Sequence, residues 1–347
     1  MSVDDHSILV LSGCEVDQIL DRMDPDVLLA SQQDVFSAFS DSSNDERTIQ
    51  TPHRNTLTSP ESFALFMPSR VANAGGMACK IVSIPSSGIG GLPASTVVLN
   101  EKTGKVQAIV NARKLTSVRN AAGSALFVKN FPGPRPLQNL IIYGSGAQAR
   151  SHATVIIKVN PSIIDCTIIG RRESDRLTTL VTDLANSFPH VKVRSAVSVY
   201  PDPNPDFDID IVRKADLIVC NTPSLQPLFH VSHVAPQTRI VSIGSYKPTM
   251  HELDQETIQR AGLIVCDSGD ACLREAGELQ FAKTKRDQIV EIGEVVNNPT
   301  LVKKIEASGD IVLYKSVGIG IQDVAIAHLV FQRALDAHLG TIVKDYD

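Results

Sequence analysis

Residues 140–149 carry an apolar run, Leu140-Ile141-Ile142-Tyr143, straight into Gly144-Ser145-Gly146-Ala147-Gln148-Ala149. Glycine at the first and third places and a small residue at the sixth is the spacing that receives a dinucleotide pyrophosphate between a strand and a helix. Gly144 lets the chain turn with positive φ, Gly146 keeps a side chain out of the phosphates' path, and Ala149 lets the helix approach the strand. The N–H groups at the start of that helix, Ala147 and Gln148 among them, would then hold the anion. Where the next strand should end, the chain reads Gly170-Arg171-Arg172-Glu173-Ser174. An acid at this place holds the ribose 2′-OH of NAD, whereas guanidinium groups suit the 2′-phosphate of NADP. Arg171, Arg172 and Ser174 therefore favour NADP(H), with NAD(H) the alternative should Glu173 take the ribose.

Two further cations stand where a solvated charge is out of place. Lys80 interrupts the apolar run Met77-Ala78-Cys79-Lys80-Ile81-Val82-Ser83-Ile84. It reads either as an edge-strand lysine that snorkels to water or, preferred here, as a functional amine. Arg119 lies in Leu115-Thr116-Ser117-Val118-Arg119-Asn120-Ala121-Ala122-Gly123, a helix crowded with small residues and suited to binding an anion. His230 and His233 form the nearest approach to a metal pair. They sit in a Pro-bounded loop without acidic or thiol ligands, so no metal is expected.

The elements that must position these groups follow from the pattern of apolar residues. Strands are expected at 8–11, 63–68 and 76–85, and at 96–100 and 106–110 flanking the hairpin turn Glu101-Lys102-Thr103-Gly104. Helices should start near Glu15 and at Pro25, the second capped by Asp24. Residues 41–47 and 86–91 read as polar and glycine-rich loops. Beyond the connector Phe131-Pro132-Gly133-Pro134-Arg135-Pro136, strands at 140–143, 166–169, 191–193, 217–220, 240–243 and 263–266 alternate with helices, the first of these helices from 150 to 159. Such alternation implies a Rossmann-type doubly wound parallel sheet in an α/β chain, with ligands beyond the carboxyl ends of the strands. Those ends are Gly144–Gly146, 170–172, 221–223 (with Thr222), 244–248 (with Gly244, Ser245 and Tyr246) and 267–269. The expected organisation is a dinucleotide-binding domain over 131–310. Residues 1–130 with 311–347, including the helix 321–339, form a second α+β domain for substrate binding and dimerisation.

Composition sets the outer limits. The 347 residues are 43% hydrophobic and 20% charged, ordinary for a globular protein of two domains. A net charge of −5 gives no footprint for nucleic acid or an anionic membrane. No apolar stretch approaches the ~20 residues of a membrane span. The opening residues lack a basic flank ahead of an apolar core, and cytoplasmic location is the expectation. The six cysteines form no C-x-x-C pair, and Cys166, Cys220 and Cys266 lie in strand-like runs as small hydrophobes.

Taken together these segments resemble the ornithine cyclodeaminase/mu-crystallin family. The matching residues are Pro52-His53-Arg54, Lys80-Ile81-Val82, the Leu115–Ala122 helix, Gly144–Ala149 with Ser151-His152, Gly244-Ser245-Tyr246-Lys247-Pro248 with Glu252-Leu253-Asp254, and Lys315-Ser316-Val317-Gly318 with Gln322-Asp323. The resemblance implies a homodimer. It also implies that Arg54 and Arg119 bind the carboxylate of an imino or amino acid, that Lys80 is the active-site lysine, that Asp323 helps to hold substrate, and that Gly318 lies against the cofactor. Two arginines can clamp a carboxylate by charge-assisted hydrogen bonds while hydride reaches the C=N carbon. The chain departs from the family at Asn120 after Arg119, at Asn111, and at Tyr246, where cyclodeaminases carry an aspartate. The last departure favours an NADPH-dependent ketimine or cyclic imino acid reductase over the alternatives. Those are an ornithine cyclodeaminase, which forms proline and ammonia, and a non-catalytic mu-crystallin-like binder.

Overall fold

Apolar residues at every second position build the first of two sheets. The computed structural model describes residues 6–43, 45, 47–86, 92–201 and 207–346. The expected loop 86–91 beyond Ser86, and positions 44 and 46 of the loop 41–47, lie outside the described residues. The strands are, in chain order, β1 (Ile8–Leu11), β2 (Ile49–Gln50), β3 (Asn55–Thr58), β4 (Ser62–Val71), β5 (Gly76–Pro85), β6 (Ala94–Leu99), β7 (Val106–Asn111), β8 (Asn139–Tyr143), β9 (Asp165–Gly170), β10 (Lys192–Val197), β11 (Leu217–Cys220), β12 (Arg239–Ser242), β13 (Ile264–Cys266), β14 (Ile289–Glu291), β15 (Val312–Lys315) and β16 (Thr341–Val343).

The chain divides into two compact units, Met1–Arg119 with Ile319–Asp347, and Asn120–Gly318. In the first, the strands run β16-β1-β7-β6-β5-β4-β2, with β3 also on β4. β1 lies parallel to β7 and the other pairs are antiparallel. The helices Gly13–Arg22 and Pro25–Phe39 follow β1. Ser12 and Glu15 close a capping box on one, and Asp24 accepts the Asp26 amide at the start of the other. The helix Gly320–Ala337 packs on β4, β5 and Pro25–Phe39. Along β5, Ala78, Lys80 and Val82 share the buried face, as the two-residue period of a strand requires.

The second unit holds a wholly parallel sheet in the order β10-β9-β8-β11-β12-β15-β13-β14. Its central strands are buried almost throughout because both faces are covered. The chain proceeds outward from β8 through β9 to β10, then returns to β11 on the opposite side of β8. The switch point therefore lies between β8 and β11, beyond Tyr143 and Cys220, which face each other in register. The connector 131–136 lies within this unit. So do residues 311–318, because β15 inserts between β12 and β13 rather than joining the first sheet. The helix after the glycine turn is Ala147–Val159. It starts three residues earlier than expected, since Ala147, Gln148 and Ala149 are themselves good helix formers.

Candidate functional site

The glycine turn follows β8 directly. Gly144 has φ +108°, and its amide donates to the Ile169 carbonyl at 2.9 Å. A side chain there would come within 3.0 Å of the Asn221 carbonyl oxygen. At Gly146 a Cβ would lie 2.7 Å from the tip of the exposed Arg176 side chain, which would have to move aside. Arg176 Nε donates to the Ser145 carbonyl at 2.9 Å, placing a cation on the turn that sequence reasoning missed. No side chain caps the helix Ala147–Val159 at its N-terminus, which leaves N–H groups available to an anion. Further along that helix, His152 Nδ1 donates to the Gln148 carbonyl at 2.8 Å and Nε2 accepts from Ser124 at 3.0 Å. Burial pushes the His152 imidazole down to about 4, so the ring is neutral.

Arg171 and Arg172 are exposed immediately beyond β9. Ser174 is half-buried and caps the helix Asp175–Ser187, accepting the Leu177 amide at 3.3 Å. These features fit a dinucleotide: a turn without side-chain bulk, an uncapped helix start, and arginines at the end of the second strand.

Ser245 and Thr222 were expected beside the cofactor, and the structure gives their side chains other work. Ser245 is fully buried, donates to Glu278 Oε2 and receives Lys315 Nζ at 2.6 Å. Thr222 donates its amide and its hydroxyl to Glu252 Oε1 at 2.6 and 2.9 Å. Glu252 Oε2 takes the Gly244 amide at 2.8 Å and the Ser242 hydroxyl at 3.0 Å. Lys315, Glu252 and Glu278 thus form a buried polar network under the loops after β11 and β12, the second of which carries Tyr246. Burial pulls the Lys315 ammonium down, but Glu278 and Glu252 outweigh it and hold the group above its ordinary value. Gly318 has φ +80°, and its amide is held by Asp267 Oδ2 at 2.7 Å. Tyr246 is half-buried, with Lys247 Nζ 5.7 Å from its ring centre. His230 caps the short turn Val231–His233 by accepting the Ser232 amide. Among the described residues no three His, Cys, Asp or Glu side chains are grouped to hold a metal.

The first unit gathers the other candidates. Lys80 lies in a central strand, opposite Met67 on β4 and Thr96 on β6, and is only 2% exposed, so the edge-strand alternative is excluded. Its Nζ stands 2.7 Å from Asp323 Oδ2. Arg119 Nε donates to Asp323 Oδ1 at 3.0 Å, and its Nη1 to Gln322 Oε1 at 2.8 Å. Asp323 sits in the first turn of the helix Gly320–Ala337, where the helix dipole also favours a carboxylate. In this structure it is the counter-ion between two buried cations. Arg54 is half-buried and near enough for its charge to act on Lys80. Burial, against the pull of Asp323, brings Lys80 down to about 8, with Arg119 and Arg54 adding to the fall. Lys80 and Arg119 thus share the Asp323 carboxylate, with Arg54 close enough to act on the same lysine, a grouping of cations that suits an anionic ligand. Two buried donors there, Thr96 Oγ1 and Gln322 Nε2, have no protein partner. Sequence reasoning missed both. The alternation of β6 could have marked Thr96 as inward-facing, whereas nothing local marks Gln322.

The sequence profile of the ornithine cyclodeaminase/mu-crystallin family matches residues 16–338, and the chain belongs to this family. A Delta(1)-pyrroline-2-carboxylate reductase of Bacillus cereus is 28% identical over 311 residues, which cover 86% of this chain and 90% of that protein. Among solved structures, the Thermococcus litoralis Delta(1)-pyrroline-2-carboxylate reductase, in complex with NADH and L-proline, superposes with a TM-score of 0.83. It is 22% identical, and the match covers 96% of this chain and 99% of that one. The iminosuccinate reductase of Paracoccus denitrificans, with NAD+ bound, gives a TM-score of 0.81 at 21% identity, over 97% and 99% of the two chains. These structures share the fold.

Proposed function

We propose that this protein is an NAD(P)H-dependent oxidoreductase that reduces the C=N bond of an α-imino carboxylate, with NADPH preferred. The observation that carries the reading is the buried Lys80–Asp323–Arg119 cluster, which sets a lysine and an arginine side by side, in a chain related to pyrroline carboxylate reductases. Arg119 and Arg54 hold the substrate carboxylate, and the Thr96 hydroxyl adds a neutral donor. Asp323 fixes the two buried cations so that neither swings away when substrate is absent. The nicotinamide, when bound, supplies hydride to the imine carbon. The nitrogen then needs one proton, which the Lys80 ammonium provides and recovers from water. In the second unit the Gly144–Gly146 turn and Gln148 receive the pyrophosphate, while Arg171 and Arg172 meet a 2′-phosphate. The same reading makes the protein a cytoplasmic homodimer.

Tyr246 stands where a cyclodeaminase needs a base. A tyrosine hydroxyl, whose reference pKa is ~10, is a poor proton acceptor at neutral pH. The direct test is an assay following NADPH oxidation with cyclic imino acids, and with 2-oxo acids paired with amines. Steady consumption is expected, along with no release of ammonia from ornithine. Tyr246→Phe should leave the reduction rate nearly unchanged, because the proton comes from Lys80. Proline and ammonia formed from ornithine at an enzymatic rate would overturn the assignment.

Cofactor choice is tested separately. Removing both Arg171 and Arg172 deletes charge-assisted contacts worth about 1–2 kcal/mol together, so NADPH affinity should fall about 5- to 30-fold. NADH affinity should hardly change. Equal affinity of the unaltered protein for the two cofactors would contradict the preference.

A further inference from the structure

Asn221 follows β11 at the switch point of the parallel sheet, against the first glycine of the turn. Its backbone amide donates to the Tyr143 carbonyl, continuing the pairing of β11 with β8 by one residue. Its carboxamide is different. Both Oδ1 and Nδ2 are buried, and neither has a partner in the protein. A few residues away, Gln148 Oε1 is likewise buried and unpartnered. Buried amide groups left without hydrogen bonds are costly, and native proteins rarely keep them without a reason. Here they gather on either side of one turn.

The three atoms also state what would satisfy them. An amide presents one acceptor oxygen and one donor nitrogen. A phosphate oxygen only accepts, so it could meet Nδ2 but would leave Oδ1 and Gln148 Oε1 unpaired. Hydroxyl groups donate and accept, and a ribose presents two of them side by side. We propose that the Asn221 carboxamide, together with Gln148 Oε1 in the first turn of the helix after the glycines, hydrogen-bonds the ribose hydroxyls of the bound dinucleotide. Asn221 then anchors a sugar while the glycine turn holds the phosphates, and its amide is kept unsatisfied in the free protein for that purpose. This inference rests on the dinucleotide reading above.

The two are separated by measuring binding and stability on the same samples. The full chain and its Asn221→Leu variant are titrated calorimetrically with NADP+ and with inorganic pyrophosphate, and melted without ligand. The variant should lose about tenfold in NADP+ affinity, the worth of a pair of neutral hydrogen bonds. Pyrophosphate affinity should not change. The unliganded variant should melt at the same temperature or higher, because leucine removes two unsatisfied polar atoms of similar bulk. Unaltered NADP+ affinity, or a melting temperature that falls together with affinity, would overturn the proposal, the latter by making the amide a structural group. A matching loss of pyrophosphate affinity would overturn the ribose assignment. Failure of the unaltered protein to bind NADP+ or NAD+ at all would overturn the dinucleotide reading itself. Should the leucine variant fail to fold, Asn221→Ala, which also removes both polar atoms, carries the same expectations for NADP+ and pyrophosphate affinity.

Discussion

Asp323→Ala should lower the folding stability of this protein by about 3–5 kcal/mol, the loss typical when one member of a buried ionic group is removed. The carboxylate is 2% exposed and stands 2.7 Å from Lys80 Nζ and 3.0 Å from Arg119 Nε. Without it two cations remain buried beside each other, each deprived of the charge that offset its desolvation. Asp323→Asn should be destabilising as well, since it keeps the volume and loses the charge. Urea denaturation of both variants measures the effect, with the two units followed separately because a chain of two compact units need not unfold in one step. Burial raises the Asp323 carboxyl, but Arg119 and Lys80 outweigh it and hold the group below the ordinary aspartate value. Its pKa is thus lower folded than unfolded. The stability it contributes is present above the unfolded value of ~3.9 and is lost as pH falls through the folded one. The gap between unaltered protein and variant should therefore be widest near neutral pH and close in acid. A loss under about 1 kcal/mol at pH 7 would mean that the cluster behaves as a solvated ion pair and not as a buried ionic group.

The cluster also marks the limit of what a sequence displays. Lys80 was legible because a cation in the middle of an apolar strand needs an explanation. Its counter-ion was not, since Asp323 lies in a distant C-terminal helix, and no local pattern links residues 204 apart such as Arg119 and Asp323. The glycine turn and most strands of the parallel sheet were legible for a related reason, since buried parallel strands are mostly apolar runs; β15, which ends on Tyr314 and the buried Lys315, was not. β2, β3, β14 and β16 were not, being only two to four residues long, with β3 fully and β16 largely open to solvent. The surroundings of Ser245 were not legible either. Its place beyond a strand end suggested a ligand contact, and no sequence rule pairs its hydroxyl with Lys315 and Glu278, to which it is bound. Arg176 was passed over for Arg171 and Arg172 because proximity to the strand end was the only guide. The structure shows that a residue in the first turn of the following helix reaches back to the glycines.

Arg119→Ala should raise KM for the imino acid by about 30-fold to several thousand-fold, corresponding to about 2–5 kcal/mol for leaving a buried carboxylate without its charged partner. Because Arg119 also contacts Asp323 and Gln322, loss of binding alone does not distinguish a substrate contact from a collapsed site. The pH profile does. Lys80, at about 8, must carry its proton to donate it, so kcat/KM of the unaltered protein should be level near neutrality and fall as pH rises through about 8. Asp323 raises the Lys80 value, whereas Arg119 lowers it. Removing Arg119 should therefore move the basic limb to higher pH, and removing Asp323 should move it to lower pH. Arg119→Lys, which keeps the charge but not the two-pronged donor, should leave the limb in place and still raise KM. A merely structural arginine would lower activity at every pH without moving the limb. If Arg119→Ala binds substrate as tightly as the unaltered protein, or if the two deletions displace the limb in the same direction, the carboxylate clamp with Lys80 as its proton donor is wrong.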